Sequence, residues 1–172
     1  MKIENEFYHN GYKCVVVFSD LGFRCGYVGI PKNHYLYKKS YSNKCLNFSD
    51  IKNEELKKRG IIPLLTFQCQ EDKSKVSPDL YFNVHGGVTY SGKLSDVLND
   101  DLWYFGFDCG HADDKPDIRS AEEYGMNNEV IGFLYTKTGK VRTQDYVESE
   151  CRSLAEQLKR VEEGYNNGRK EK

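Results

Sequence analysis

Apolar stretches in the first thirty residues predict a β-meander. A β-branched run occupies residues 12–18, and a second strand-like run occupies 23–30. Asn10 and Gly11 precede the first run, and both are residue types that favour tight turns. We therefore predict that 12–18 pairs with 23–30 on one side and with a strand at 3–8 on the other.

Further strand-like runs follow along the chain. The most apolar and aromatic of them, residues 102–107, is typical of a central buried strand. The pattern predicts additional strands at 61–69, 80–84, 88–90, 130–136 and 140–143, the last two as a hairpin, and a short helix at 51–59.

The clearest helical pattern lies near the C-terminus, at residues 144–163, with Thr143 placed to cap it and a frayed tail at 164–172. Steps of 4, 3, 4 and 3 place five apolar residues on one face, namely Val147, Cys151, Leu154, Leu158 and Val161. We predict that this face packs on the sheet. The expected fold class is α+β, a mainly antiparallel sheet with a C-terminal amphipathic helix and one or two short helices, in a single domain spanning 1–172 with an insertion at 37–77.

Charge is nearly balanced over the 172 residues, with 25 Lys and Arg against 26 Asp and Glu. This balance gives no global electrostatic basis for direct nucleic-acid binding. The local distribution is uneven, because residues 1–75 carry a net +5 whereas 96–129 carry a net −8. The acidic segment is either ordinary solvated surface or a patch for a cation or a basic partner.

Cysteine spacing and hydropathy indicate a reducing compartment. No two of the six cysteines have a C-x-x-C spacing, which argues against a zinc knuckle or a thioredoxin-type motif. We find neither an apolar leader nor a run approaching the ~20 apolar residues that span a bilayer. We therefore expect no membrane association, a cytoplasmic location and free thiols. The cysteines are Cys14, Cys25, Cys45, Cys69, Cys109 and Cys151.

The first group of residues that could take part in chemistry is His85-Gly86-Gly87, directly after a predicted strand. Two glycines permit a tight turn, or let backbone approach a ligand closely. His85 is therefore either a hydrogen-bonded turn residue or a ligand or catalytic histidine.

The second group follows the aromatic strand and contains Asp108, His111, Asp113 and Asp114. Carboxylates and imidazole suit a divalent metal or general acid–base work. In the metal interpretation, the ligands are His85, Asp108, His111 and Asp113. The alternatives are a capped turn with a satisfied loop histidine, or contact with a partner.

Two further residues are candidates for chemistry. Cys109 lies within the second group, where a nucleophile would need a nearby histidine, although a buried thiol is the favoured interpretation. Arg24 lies between aromatic and glycine residues. It either holds a carboxylate or phosphate of a partner, or pairs with an acid of the central segment. Phosphate-loop and dinucleotide fingerprints are absent.

Four blocks, 22–29, 85–90, 103–113 and 146–158, together resemble a family of small proteins from phages and mobile elements of gut bacteria. They span nearly the whole chain except the insertion at 37–77. Some members are similar to anti-CRISPR proteins that inhibit the type II RNA-guided effector nuclease. The resemblance implies a counter-defence role in the cytoplasm of a bacterial host.

Three functions follow as hypotheses. The first is a non-enzymatic inhibitor of that nuclease or another bacterial defence protein, without a cofactor, contacting its partner through Asp113, Asp114, Asp117 and Arg24. The second is a metal-dependent hydrolase that uses the His/Asp group to bind a divalent metal. The third is a nucleotide-binding sponge that sequesters a defence signal.

Overall fold

The computed structural model describes residues 1–47, 74–126 and 138–170. Over these ranges the chain forms three helices: α1 (Pro78–Tyr81), α2 (Ile118–Glu123) and α3 (Gln144–Lys170). It also forms nine strands, which in chain order are β1 (Lys2–His9), β2 (Tyr12–Phe18), β3 (Arg24–Ile30), β4 (Leu46–Asn47), β5 (Lys75–Val76), β6 (Tyr90–Gly92), β7 (Trp103–Asp108), β8 (Asp114–Lys115) and β9 (Lys140–Val141).

Five strands build one antiparallel sheet in the order β1-β2-β3-β7-β6. The turn between β1 and β2 has positive φ angles at Asn10 (50°) and Gly11 (84°), which matches the right-handed twist of a tight hairpin. Two predictions are therefore confirmed: the meander of the first thirty residues, and the α+β class with a mainly antiparallel sheet.

One face of the sheet is covered by α3. All five apolar residues that the helical spacing placed on one face are buried and pack on β1, β2 and β3. Thr143 caps the helix, because its hydroxyl accepts a hydrogen bond from the Tyr146 amide at 3.3 Å. Gly26 in β3 lets the helix approach closely, since a Cβ there would lie 2.7 Å from Cys151 Sγ.

The opposite face of the sheet is covered by the segment between β6 and β7. Leu94, Val97 and Leu98 pack against Val15 and other buried residues of the sheet. Both faces of the central strands are therefore shielded from water. This burial explains why β2 reads as a continuous apolar run rather than an alternating one.

Three predicted elements differ from the structure. The stretch 80–84 was predicted as a strand, but the helical turn α1 begins at Pro78 and the chain after it is irregular. Proline suits the first turn of a helix, and the Tyr81 amide donates to the Ser77 carbonyl at 2.9 Å. The strand predicted at 88–90 is found as β6, two residues later.

The third difference is at the C-terminus, where α3 continues to Lys170 instead of ending at Glu163 in a frayed tail. Tyr165 stacks on Tyr35 with ring centroids 4.1 Å apart, which holds the last part of the helix against the body of the protein.

Several predictions lie outside the described residues: the helix at 51–59, the strands at 61–69 and 130–136, and most of the insertion at 37–77. The second strand of the predicted last hairpin is found as β9, which pairs in parallel with β8. Among the described residues, no helix combines the length and the apolar character that a membrane span requires.

Candidate functional site

Three segments distant in sequence meet at one end of the sheet. They are the His85-Gly86-Gly87 turn after α1, the loop from β7 into β8, and the start of α3. The β8–β9 pair aligns Asp114 with Lys140, which brings the residues after β9 beside Asp114. This convergence makes the region a candidate site.

Asp114 is the centre of the site and is completely buried. Its Oδ1 accepts a hydrogen bond from Arg142 Nε at 2.7 Å. Its Oδ2 lies 2.7 Å from His85 Nε2 and accepts from the His111 backbone amide at 3.0 Å. Burial alone would raise the pKa of Asp114, but the hydrogen bonds from Arg142 and His85 outweigh it and lower the pKa. The carboxylate is therefore ionised and fixed in place.

His85 is held at three points. Its Nε2 contacts Asp114, and its Nδ1 lies 3.0 Å from the Tyr146 hydroxyl. Its backbone amide donates to Glu150 Oε2 at 2.7 Å. The side chain is 12% exposed, so one edge of the ring reaches solvent. These contacts orient the imidazole before any ligand arrives.

His111 occupies the space left by the missing side chain of Gly86. Gly86 has φ +65°, and a Cβ at this position would lie 2.6 Å from His111 Nδ1. The rings of His111 and His85 pack edge to face with centroids 5.3 Å apart. Glycine is therefore needed here both for the backbone conformation and for the position of the second histidine.

One atom of His111 has no hydrogen-bond partner. Its Nδ1 is buried and lies 3.5 Å from Asp114 Oδ2, where no hydrogen bond forms. Within the described parts of the chain, no other buried side-chain nitrogen or oxygen lacks a partner. An unsatisfied buried nitrogen costs stability unless a ligand binds it, so this atom points to a ligand at the site.

The separations suit a metal ion. Ligand atoms of His85, His111 and Asp114 all lie within 4.8 Å of one another. Zinc bonds of about 2.0–2.1 Å in tetrahedral geometry place ligand atoms about 3.3 Å apart. The two distances to Asp114 Oδ2, 2.7 and 3.5 Å, bracket that value. We call these three residues the His/His/Asp cluster.

The structure brings together only part of the predicted ligand set. His85 and His111 converge, but Asp108 and Asp113 are not in the cluster, and Asp114 takes their place. Asp108 caps its own loop by accepting from the Gly110 amide at 3.0 Å and from Thr89. Asp113 is exposed. Asp114 faces inward because it begins β8, which pairs with β9.

Arg24 lies in a second buried network, which is joined to the site by a hydrogen bond from Arg24 Nη1 to the Arg142 carbonyl at 3.0 Å. Its guanidinium forms two hydrogen bonds with Glu4, at 2.7 and 2.9 Å, and one with Asp117 at 2.8 Å. The prediction that Arg24 pairs with an acid of the central segment is therefore confirmed. Arg24 is 6% exposed and Asp114 is fully buried, so neither suits a partner-binding surface. Asp117 caps α2 and binds Arg24, and only Asp113 of the four predicted contact residues is exposed.

Cys109 is close to the cluster but is unsuited to nucleophilic chemistry. It is buried, and burial together with the charge of Asp114 raises the pKa of its thiol. The thiol is therefore neutral near pH 7. All five cysteines in the described ranges are free, as expected for a reducing compartment.

Two residues of the site were not predicted from the sequence, Arg142 and Tyr146. Arg142 follows β9 and is 28 positions from its partner Asp114. Tyr146 lies in the first turn of α3, beside the buried position Val147. The only available signal was that both residues stand where a predicted strand passes into a predicted helix.

Comparisons with protein-family models, with curated proteins and with solved structures gave no match to this chain.

Proposed function

We propose that the protein binds a divalent transition-metal ion through the His/His/Asp cluster and uses it to activate water for hydrolysis. The observation that carries the proposal is the unpaired, buried Nδ1 of His111. It lies 3.5 Å from the carboxylate oxygen that His85 also contacts at 2.7 Å. A metal ion bound by these three atoms satisfies the otherwise unpaired nitrogen.

Contacts around the cluster support this proposal. A histidine that binds metal usually donates its other ring N–H to a neighbour, and the Tyr146 hydroxyl lies 3.0 Å from His85 Nδ1. Arg142 Nε donates to Asp114 Oδ1, so Oδ2, the oxygen near both histidines, can bind the metal. Each of these contacts fixes a ligand in a defined orientation.

Three protein ligands leave at least one metal position for water. This composition is typical of catalytic zinc sites, whereas structural sites are closed by four protein ligands. The cluster lies next to the surface, since the His111 side chain is 37% exposed although its Nδ1 is buried. Metal coordination lowers the pKa of bound water to about 7 and so supplies hydroxide at neutral pH.

Metal binding is tested first, on protein purified without an affinity tag. Elemental analysis and calorimetric titration with zinc and with manganese should give about one site per chain. His111→Ala should weaken binding by at least about tenfold, since even residues that only support ligands are worth about 10–100-fold. His9→Ala is the matched control, because His9 lies outside the cluster and contacts the Glu156 carboxylate at 3.1 Å. Equal affinities in both variants and the wild type would contradict the proposal.

The counter-defence role stays a prediction. Exposed acidic side chains in the described part of the 96–129 segment, Asp113 and Glu122 among them, are consistent with a docking surface. Cleavage of target DNA by a type II effector nuclease, titrated with this protein, tests the role. The role would be supported if the protein inhibits cleavage and if the double variant Asp113→Asn, Glu122→Gln inhibits it less. Full cleavage at a large excess of the protein would exclude that target. The nucleotide-sponge hypothesis is tested by a thermal-shift panel of cyclic nucleotides.

A further inference from the structure

Arg142 has hydrogen-bonding capacity that the site does not use. Its Nε donates to Asp114, while its two terminal NH2 groups donate to no residue in the described ranges. The Arg142 side chain is 21% exposed, so part of it reaches solvent. Guanidinium carries five N–H donors, and among the described residues only the Nε–H has an acceptor, Asp114.

The guanidinium is held in position before any ligand binds. The hydrogen bond to Asp114 fixes one edge, and the Tyr146 ring lies under the group with its centroid 5.0 Å from Cζ. Asp114 itself is fixed by His85 and by the His111 amide. A preorganised fork loses little conformational entropy when it binds a planar or tetrahedral anion.

The charges around the cluster favour an anion once a metal is bound. Asp114 and Arg142 neutralise each other, and Glu150 accepts a hydrogen bond from the His85 backbone at 2.7 Å. A divalent ion then leaves a net charge of about +1 with two neutral imidazoles. An anionic substrate would approach the metal and the free edge of Arg142 together.

We infer that Arg142 is the anion-binding residue of the site and that the substrate class is a phosphate ester. This inference rests on the proposed metal-dependent hydrolysis. A metal ion and an arginine fork together bind the phosphoryl oxygens and neutralise the charge that develops on them. Metal-bound water loses a proton to solvent, and the hydroxide forms a new bond to phosphorus. The ester P–O bond breaks, and the leaving oxygen takes a proton from solvent.

The test compares the metal-loaded wild type with Arg142→Lys and a matched control. Lysine keeps a positive charge that can pair with Asp114 but lacks the planar set of N–H donors of the guanidinium. Arg119→Lys is the control, since the Arg119 side chain is 90% exposed and forms an ion pair with Glu123 on α2, away from the cluster. Binding of metal, inorganic phosphate and acetate is measured by calorimetry, together with hydrolysis of bis(4-nitrophenyl) phosphate.

We expect Arg142→Lys to bind metal up to about tenfold more weakly, because Arg142 supports the ligand Asp114. Once loaded with metal, this variant should bind phosphate about tenfold or more weakly than the metal-loaded wild type. Arg119→Lys should bind both as the wild type does. Hydrolysis should fall in parallel with phosphate binding and not with metal occupancy.

Three outcomes would overturn the inference while leaving the metal site intact: metal-loaded wild type that does not bind phosphate, acetate bound as tightly as phosphate, or Arg142→Lys with unchanged phosphate affinity. Phosphate binding by Arg142→Lys that returns to the wild-type value once the metal site is filled would also overturn it, because Arg142 would then act only through Asp114. Failure of the wild type to bind metal would instead overturn the proposed function itself.

Discussion

Gly86→Ala offers a sharp test of how the site is assembled. Gly86 has φ +65°, and an added Cβ would lie 2.6 Å from His111 Nδ1 and close to two other ring atoms. The substitution should therefore displace the His111 ring in addition to straining the backbone. Gly125→Ala separates the two effects, because Gly125 has φ +67° with nothing within 4 Å of an added Cβ.

The expected magnitudes follow from this comparison. A left-handed conformation costs a non-glycine residue about 1–2 kcal/mol, and the reduced entropy of the unfolded chain returns about 0.4–1 kcal/mol. Gly125→Ala should therefore lower the free energy of unfolding by about 1 kcal/mol. Gly86→Ala adds an overpacking cost of about 1–3 kcal/mol, for a total of about 2–4 kcal/mol.

Thermal unfolding and zinc calorimetry measure the two consequences. One kcal/mol shifts Tm by about 2–4 °C in a domain of this size, so the variants should differ by several degrees. Because Gly86→Ala misplaces one ligand, its metal affinity should fall by about 100-fold, whereas Gly125→Ala should bind as the wild type does. Equal Tm values in the two variants, or undiminished metal binding by Gly86→Ala, would refute the proposed contact with His111.

Three further predictions concern stability. Arg24→Met leaves the buried Glu4 carboxylate without its cation and should cost about 3–5 kcal/mol in urea unfolding, against less than about 0.5 for the exposed control Arg119→Met. Leu154→Ala should cost about 2–5 kcal/mol, because Leu154 is fully buried under the sheet. Burial lowers the pKa of His34 below 6.5 despite its hydrogen bond to the Leu158 carbonyl, so the unfolded chain takes up the proton first. Stability should therefore fall as pH drops below about 6.5, and His34→Asn should flatten that slope.

Periodicity was sufficient to predict the frame of the fold. The β2 run, the aromatic β7 run and the helix at 144–163 were each recognised because a buried surface imposes its period on the sequence. The strand prediction for 80–84 was wrong because burial also produces short apolar runs in other elements. A short apolar run after Ser77-Pro78 is consistent with a strand or with a helical turn, and length alone did not distinguish them.

The candidate site was predicted less completely than the fold. His85 and His111 were identified from their residue types beside glycines, but the choice between Asp113 and Asp114 depended on tertiary structure. These two aspartates are chemically identical neighbours in a loop. Asp114 faces inward because of the parallel pairing with β9, a long-range contact that leaves no local pattern. Arg142 was missed for the same reason.

The Arg24 network connects the sheet to this site. Arg24 starts β3 and donates through Nη1 both to Asp117 and to the backbone carbonyl of Arg142, at 2.8 and 3.0 Å. The residue that follows β9 is therefore tied to the sheet by its carbonyl and to Asp114 by its side chain. Because the Arg24 guanidinium holds the backbone of Arg142, Arg24 is a positioning residue for the candidate anion site. Conservative replacement by lysine should then weaken phosphate binding even where the fold survives, since lysine cannot satisfy all these acceptors.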